Sequence, residues 1–510
     1  MTDCYRNRMF CIFKLLPLLA LMSVVTAPCV WGAVTAPIVK SGVVVEAALF
    51  GSFIDAVAAA KDKTLVISSP QKLTTNFTIP ENVSVVVLKG GTIKKESDAK
   101  LTIGGPFSAG LYAIFENFRP GEVVFAAGSV GQVVPQWWGA KGNGNNDDTA
   151  AIRMAFASHN HLHFPSGTYI VDGSDGSLTA VLLAITRHHV EISGDGSSTT
   201  FLWAKKASSH FSYIKGNGGA WEDIDIKGIH FVGDYGNRPQ QVSSYFVWLN
   251  NMKYVTVTDC KFSSNPGYQG AGAAIIVSNG SQFCSLRGNV FNSNASEDIN
   301  FYGADGSIYN NEAIGNMHYH SLTIPYEIEG RRGETIAGHE VFNTIISDNV
   351  IASDPAASYQ NSGDAGVNII GARGVIISGN AISRRGTSAI RVIGSQDVTI
   401  TGNRVNDIYG TNPEGKGIEL SSNIFGPQGK NRSIIISGNS IKRCRIGLSI
   451  HKNEIQGGSE AVAVIGNTFA DVDTGIDAQS IASYEAFGNI FTGTKRDRLY
   501  SSSTASALAK

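Results

Sequence analysis

The 510-residue chain sets 41 Lys+Arg against 42 Asp+Glu, a formal net charge of −1, which excludes a chain-wide basic field for nucleic acid and an acidic tail. Charged residues make up only 16% of it, below the roughly 25% usual in soluble domains. The 43% hydrophobic content excludes a disordered chain, and the 57 glycines with low charge point to short strands and tight turns rather than helices.

The first 33 residues read as an export signal. Arg6, Arg8 and Lys14 precede an apolar run from Leu15 to Val25, too short to span a bilayer, and small residues at Gly32 and Ala33 offer a cleavage point. Pro28 makes Cys29 a poor lipid-attachment site. Cys4, Cys11 and Cys29 would leave with the signal. Cys260, Cys284 and Cys444 are odd in number, widely spaced and without metal-ligand spacing, so they read as small buried hydrophobes. Residues 38–132 contain short strands such as Thr64-Leu65-Val66-Ile67 and are expected to form a small N-terminal β module.

Next comes Pro135-Gln136-Trp137-Trp138-Gly139-Ala140-Lys141-Gly142-Asn143-Gly144-Asn145-Asn146-Asp147-Asp148-Thr149-Ala150-Ala151-Ile152. Asp147 and Asp148 are placed to accept from the free amides of a short helix, Thr149 to Ala157, and that helix would cover an open solenoid end. Capping explains this acidic pair more simply than a hydrolytic dyad does. Leu162-His163-Phe164-Pro165-Ser166-Gly167-Thr168-Tyr169 then reads as a first strand and turn.

A weak repeat fills the second half: an alternating apolar strand, Gly-Asn, then another apolar residue. It appears around Asn289, Asn380, Asn403, Asn439, Asn467 and Asn489, with looser copies at Asn311, Asn349 and Asp259. The spacing falls to 22 residues between Asn289 and Asn311 and again between Asn467 and Asn489, and is longer elsewhere, as a fixed coil with insertions requires. Period-two alternation broken once per coil predicts a parallel β-solenoid. Each Asn is expected to stack on the next, about 4.8 Å away, and to adopt the left-handed backbone of the corner itself.

A second strand precedes each Gly-Asn strand, as in Gly366-Val367-Asn368-Ile369, Ala389-Ile390-Arg391-Val392 and Gly417-Ile418-Glu419-Leu420. Its second and fourth positions should point inward. The third would form a solvent-facing column: Ile276, Asn300, Thr323, Asn368, Arg391, Glu419, Ser449 and Asp477. Around it lie Lys416, Asp364, Tyr302, His318, Tyr319 and His320. Insertions from Pro325 to Asn343, carrying Arg331 and Arg332, and from Ser353 to Gly363 would wall a groove. The tail 495–510 is Ser-rich and expected to fray.

The run from Gly139 to Ile152 resembles the "GAKGDGxxDDTxAIxxA" opening of right-handed β-helix domains of the pectate lyase superfamily, in the branch of rhamnogalacturonases, epimerase-like proteins and phage tailspikes, with only Asn143 departing from the usual Asp. Residues 162–169 resemble that group's "hxFPxGxY". The likeness spans roughly Val133 to Thr494. It implies an all-β right-handed parallel β-helix with a short capping helix and the N-terminal module, acting on a polysaccharide along its outer face. The paired-aspartate and Gly-His-Gly pattern of polygalacturonases and the Asp-Pro-His of mannuronan epimerases are missing from the expected places, so no catalytic residue carries over.

From coil phase alone, Arg391, Glu419, Lys416, His320 and Asp364 are the candidate catalytic residues, with Asn300, Tyr302, Thr323, Asn368, Arg331 and Arg332 as substrate contacts. A lyase needs a base and a positive group for the enolate, roles open to Arg391, Lys416 or His320 with Tyr302. A hydrolase would need two carboxyls; Asp364 and Glu419, two coil steps or ~9.6 Å apart, fit only the inverting arrangement. An inter-coil ion pair between Arg391 and Glu419, or a non-catalytic solenoid that binds glycan or supports surface assembly, stands against both. No cofactor is implied beyond a weak case for calcium at acidic groove residues. The expected partner is a polysaccharide, with no nucleic acid and no membrane span after signal removal; the oligomeric state is open. The solvent column further predicts that Arg391→Ala and Glu419→Ala abolish turnover while leaving thermal unfolding nearly unchanged.

Overall fold

The computed structural model describes residues 44–500 apart from 172–178, 204–209, 234–243, 266–271, 295–296, 303–309, 321–335, 354–364, 409–414, 422–428, 452–458, 480 and 482. The expected export signal therefore lies outside the described residues. Described strands from residue 143 onward stack into three long parallel sheets. The first runs through 12 strands from His161–Phe164 to Tyr484–Phe487, the second through 13 from Asn143–Asp147 to Ile490–Thr492, and the third through 12 from Thr179–Ile185 to Arg496–Tyr500. Each turn of chain lays one strand in each sheet, so neighbours in a sheet are one coil apart. The last third-sheet strand runs into the segment expected as a tail.

Alternation decides what the coil buries. In Ile376–Ser378, Ile377 is fully buried while Ile376 is 42% exposed. The paired positions Val367 and Ile369, Ile390 and Val392, Ile418 and Leu420, and Leu448 and Ile450 are all buried, as their spacing predicted. Like side chains then stack up the axis: Phe231, Phe262 and Phe291 lie nearly parallel at 5.2 and 5.1 Å. His318 continues that stack, 4.7 Å from Phe291, with Nδ1 2.9 Å from Asp298 Oδ2. It is a core residue rather than part of a groove.

The Gly-Asn corner forms a ladder that departs from expectation at two points. Its rungs are Asn289, Asn316, Asn349, Asn380, Asn403, Asn439, Asn467 and Asn489. Asn316 takes the place expected of Asn311, which sits at another corner and accepts from the Cys284 amide. Moreover, the left-handed residue is the one before each Asn, such as Gly379 (φ 67°) or Gly402 (φ 65°). The Asn is thus freed for hydrogen bonding. Asn380 Nδ2 donates to Ile346 O and to Asn403 Oδ1, and its own Oδ1 accepts from Asn349, so buried amides are satisfied in both axial directions.

The N-terminal module is itself a short parallel solenoid. Its described strands form one four-stranded and two three-stranded parallel sheets, and helix α1 (Phe53–Ala59) lies between the first two strands of the four-stranded one. Helix α2 (Thr149–Ser158) caps the main stack, as expected, while Trp137 and Trp138 pack against Phe107, Phe115 and Phe125 of the module. Asp147 Oδ1 accepts from the Thr149 amide, a helix cap. Asp148 does not cap: it accepts from the Lys141 and Gly142 amides at 2.6 and 3.0 Å and so closes the glycine turn. Burial raises its carboxyl pKa against those bonds. This role leaves no hydrolytic dyad.

Candidate functional site

The third sheet carries the expected column on its outer side. Its register runs Trp248, Ile276, Asn300, Ala337, Asn368, Arg391, Glu419, Ser449 and Asp477. Ala337, in the strand Ile336–His339, holds the place expected of Thr323. Thr323, Arg331, Arg332 and Asp364 lie outside the described residues. His320 ends the strand Met317–His320, which pairs within the second sheet, so it does not share the sheet of Arg391.

The column is not solvent-facing throughout, which corrects the expected open stripe. Asn368 and Ser449 are fully buried and Asp477 is 6% exposed. At its centre Arg391 Nε donates to Asn368 Oδ1 at 3.0 Å. One coil on, Glu419 accepts from Lys416 Nζ at 2.8 Å and from Ser388 Oγ at 2.5 Å. Ser388 and Lys416 are register partners, as are Arg391 and Glu419, so these groups meet across one pair of strands. Burial pushes the Glu419 carboxyl pKa up, but the nearby Lys416 ammonium, the Ser388 hydroxyl and Arg391 outweigh it and hold the group below the usual carboxylate range. A carboxyl that stays ionised does not suit a general acid. Beyond it, Ser449 Oγ contacts His451 Nε2, and Gln479 donates to Asp477.

Upstream on the same outer side lies an aromatic patch that the sequence reading missed. Tyr245 and Trp248 rings sit 5.0 Å apart, Lys215 Nζ stands 3.8 Å over the Trp248 ring, and Trp248 Nε1 donates to Ser278 Oγ at 2.8 Å. Burial lowers the Lys215 pKa. Tyr302 is 46% exposed and is the register partner of Ser278, so its expected place on this face holds. The signal was present: Val247-Trp248-Leu249 repeats the inward–outward–inward pattern of Ile390-Arg391-Val392. Trp248 and Arg391 are five register steps apart, roughly 24 Å at about 4.8 Å per step. One sheet thus presents stacking surfaces at one end and hydrogen-bonding and charged groups at the other, a combination suited to a sugar polymer.

A cleft of about 530 Å³ opens between the module and α2, lined in part by Phe125, His159, His161 and Arg187. Arg187 spans it, donating to the Phe156 and His159 carbonyls. Among the described residues, no group of three His, Cys, Asp or Glu side chains is placed to hold a metal ion, and no helix is long and apolar enough to cross a membrane.

No family model and no curated protein matches the sequence. Solved structures with similar folds include PfbA, a surface adhesin of Streptococcus pneumoniae, at 17% identity and TM-score 0.52, covering 71% of this chain and 91% of that one. The A-module of the Azotobacter vinelandii mannuronan C-5 epimerase AlgE6 matches at 16% identity and TM-score 0.52, covering 71% and 99%. That of AlgE4 matches at 14% and 0.50, covering 74% and 99%. At these identities the likeness speaks for the fold. Strand order, register and these neighbours agree that the chain is an all-β right-handed parallel β-helix.

Proposed function

We propose that this chain is an exported polysaccharide-acting protein that lays an acidic polymer across its third sheet and cleaves it by β-elimination. The observation that carries the reading is the register-locked group of Asn368, Arg391, Ser388, Lys416 and Glu419, in line with the Trp248 patch on one outer face. The nature of the fold neighbours, two epimerase modules named for mannuronan, is consistent with a uronate polymer.

In this reading Arg391, held by Asn368, meets the uronate carboxylate and spreads the charge that develops as the neighbouring C5 proton leaves. Glu419, kept ionised, accepts that proton, and Lys416 and Ser388 fix its orientation. The C4–O bond then breaks, a C4=C5 double bond forms, and the departing sugar oxygen takes up a proton from solvent. Glycan binding without turnover is the second reading, favoured by the burial of Asn368 and Lys416 and by the adhesin among the neighbours.

Incubation with a panel of uronic-acid polymers tests both. Elimination gives ultraviolet absorbance of the unsaturated product, lost in Arg391→Ala. New reducing ends without that absorbance would mean hydrolysis and would overturn the elimination. Retarded migration in polymer gels with neither signal would leave binding alone.

A further inference from the structure

The cleft between the N-terminal module and α2 holds basic groups with no acid to answer them. Arg187, His159 and His161 line it, and none of its described lining residues is Asp or Glu. Burial alone lowers the Arg187 pKa, and no carboxylate acts on it. The guanidinium is held in one plane: the Phe156 ring lies 4.2 Å from Cζ, Nε donates to Asn160 Oδ1 at 2.8 Å, and Nη2 donates to the Phe156 and His159 carbonyls at 2.5 and 2.9 Å. Those bonds satisfy the C-terminal end of α2 and use one edge of the group. Nη1 is left without an acceptor among the described residues, and it is not sealed from solvent.

His159 supplies a second donor of this kind. The His161 amide donates to its Nδ1 at 3.1 Å, which places the proton of the neutral ring on Nε2. Burial lowers the His159 pKa and so favours that neutral form. Its Nε2 also lacks an acceptor among the described residues and stays open to solvent. His161 is engaged elsewhere, its Nδ1 donating to the Gly131 carbonyl at 3.2 Å. The other walls are largely apolar: Val124, Ala127 and Val130 from the module, with the Phe125 ring edge-on to that of His159. The cleft's 530 Å³ falls within the roughly 300–1,000 Å³ of small-molecule sites. Two N–H groups without acceptors, one of them charged, suit the two oxygens of a carboxylate. Walls of Val and Ala suit a carbon skeleton rather than a rim of hydroxyls.

We propose that this cleft binds a small monocarboxylate with an apolar body, Arg187 Nη1 and His159 Nε2 donating to its oxygens while Val124, Ala127 and Val130 pack its carbon skeleton. None of the lining residues lies in a third-sheet strand, so the proposal stands independently of the elimination reading.

The test is isothermal titration of the full chain with 3-phenylpropanoate, octanoate and benzoate, set against the neutral 3-phenylpropanamide and against glucuronate and sulfate. At least one of the three apolar carboxylates should bind once per chain, and the amide should not bind. Arg187→Gln, which removes the charge, should weaken that binding by roughly ten-fold or more. Because Arg187 also holds the end of α2, a second variant makes the test independent of folding. Ala127 is exposed, so Ala127→Trp should fill the cleft and abolish binding without lowering the melting temperature. No heat with any of the three carboxylates, equal affinity for the amide, or parent-like binding by Ala127→Trp would each overturn the proposal. Tighter binding of glucuronate or sulfate than of every apolar carboxylate would overturn it as well, since the site would then select polar anions.

Discussion

Removing the Glu419 carboxylate would leave the Lys416 ammonium, 6% exposed, without its 2.8 Å partner. Breaking one side of a buried pair costs roughly 3–5 kcal/mol, so Glu419→Gln should lower the denaturant midpoint as well as activity. The burial overturns the expectation that this column tolerates substitution without loss of stability. The pH dependence has a definite sign. Glu419's pKa is depressed in the folded chain, so its stabilisation is present above the unfolded value and is lost as pH falls through the folded one. Unfolding free energies of the parent and the Gln variant should therefore converge in that acid window and separate above it. Parallel curves across the window would contradict the assignment.

Individual strands and corners carry their own costs. Asn380→Ala would take the shared acceptor from the Asn349 backbone and side-chain N–H groups inside the ladder, at about 1–3 kcal/mol for each group left unsatisfied. Asn489, at the end of the ladder, should cost less on the same scale of denaturant midpoints. Two glycines separate conformation from packing. At Gly402 (φ 65°) a new Cβ meets nothing nearer than 4.0 Å, so Gly402→Ala should cost only the left-handed backbone, about 1–2 kcal/mol. At Gly447 the same atom would lie 2.3 Å from the Phe469 ring and 2.6 Å from the Gly475 carbonyl, so Gly447→Ala should cost more, roughly 3 kcal/mol. The coil phase was legible because inward Ile, Val and Leu alternate strictly. The rung of Thr323 was misplaced because Ser321-Leu322-Thr323-Ile324 shows the alternation that the true strand, Ile336-Ala337-Gly338-His339, lacks, and only pairing with Asn300 and Asn368 identifies the latter. Trp248 was missed for a different reason: its coil lacks a Gly-Asn corner to draw the eye to the strand.

Across the whole molecule, α2 joins two stacks of coils. Trp138 is 7% exposed and its ring lies 5.0 Å from that of Phe115 in the module. Trp138 belongs to the turn Pro135–Trp138 that packs against α2, so Trp138→Ala loosens the joint between this helix and the module at about 3–5 kcal/mol. Calorimetry should then resolve two transitions where the parent shows one, since solenoid coils are coupled only through neighbours; a single transition in the variant would refute the coupling through this helix. The sequence foretold that a helix would close the main stack but not that a second solenoid would close over it, because strands such as Gln71–Leu73 are too short to show alternation. The candidate site was half legible for a related reason. Arg391, Glu419 and Asn368 fall on one repeat position and Lys416 stands out by its charge three residues before Glu419, whereas its register partner Ser388, and His451, enter only through side-chain geometry.

The three buried cysteines offer a use of their own. Cys260, Cys284 and Cys444 are unpaired, and burial raises each thiol pKa to about 12, so none reacts while its coil is closed. They sit at different heights along the axis, which turns them into clocks. The order in which an alkylating reagent marks them under mild denaturant would report which end of the molecule unravels first, with no engineered label and no crosslink to cut.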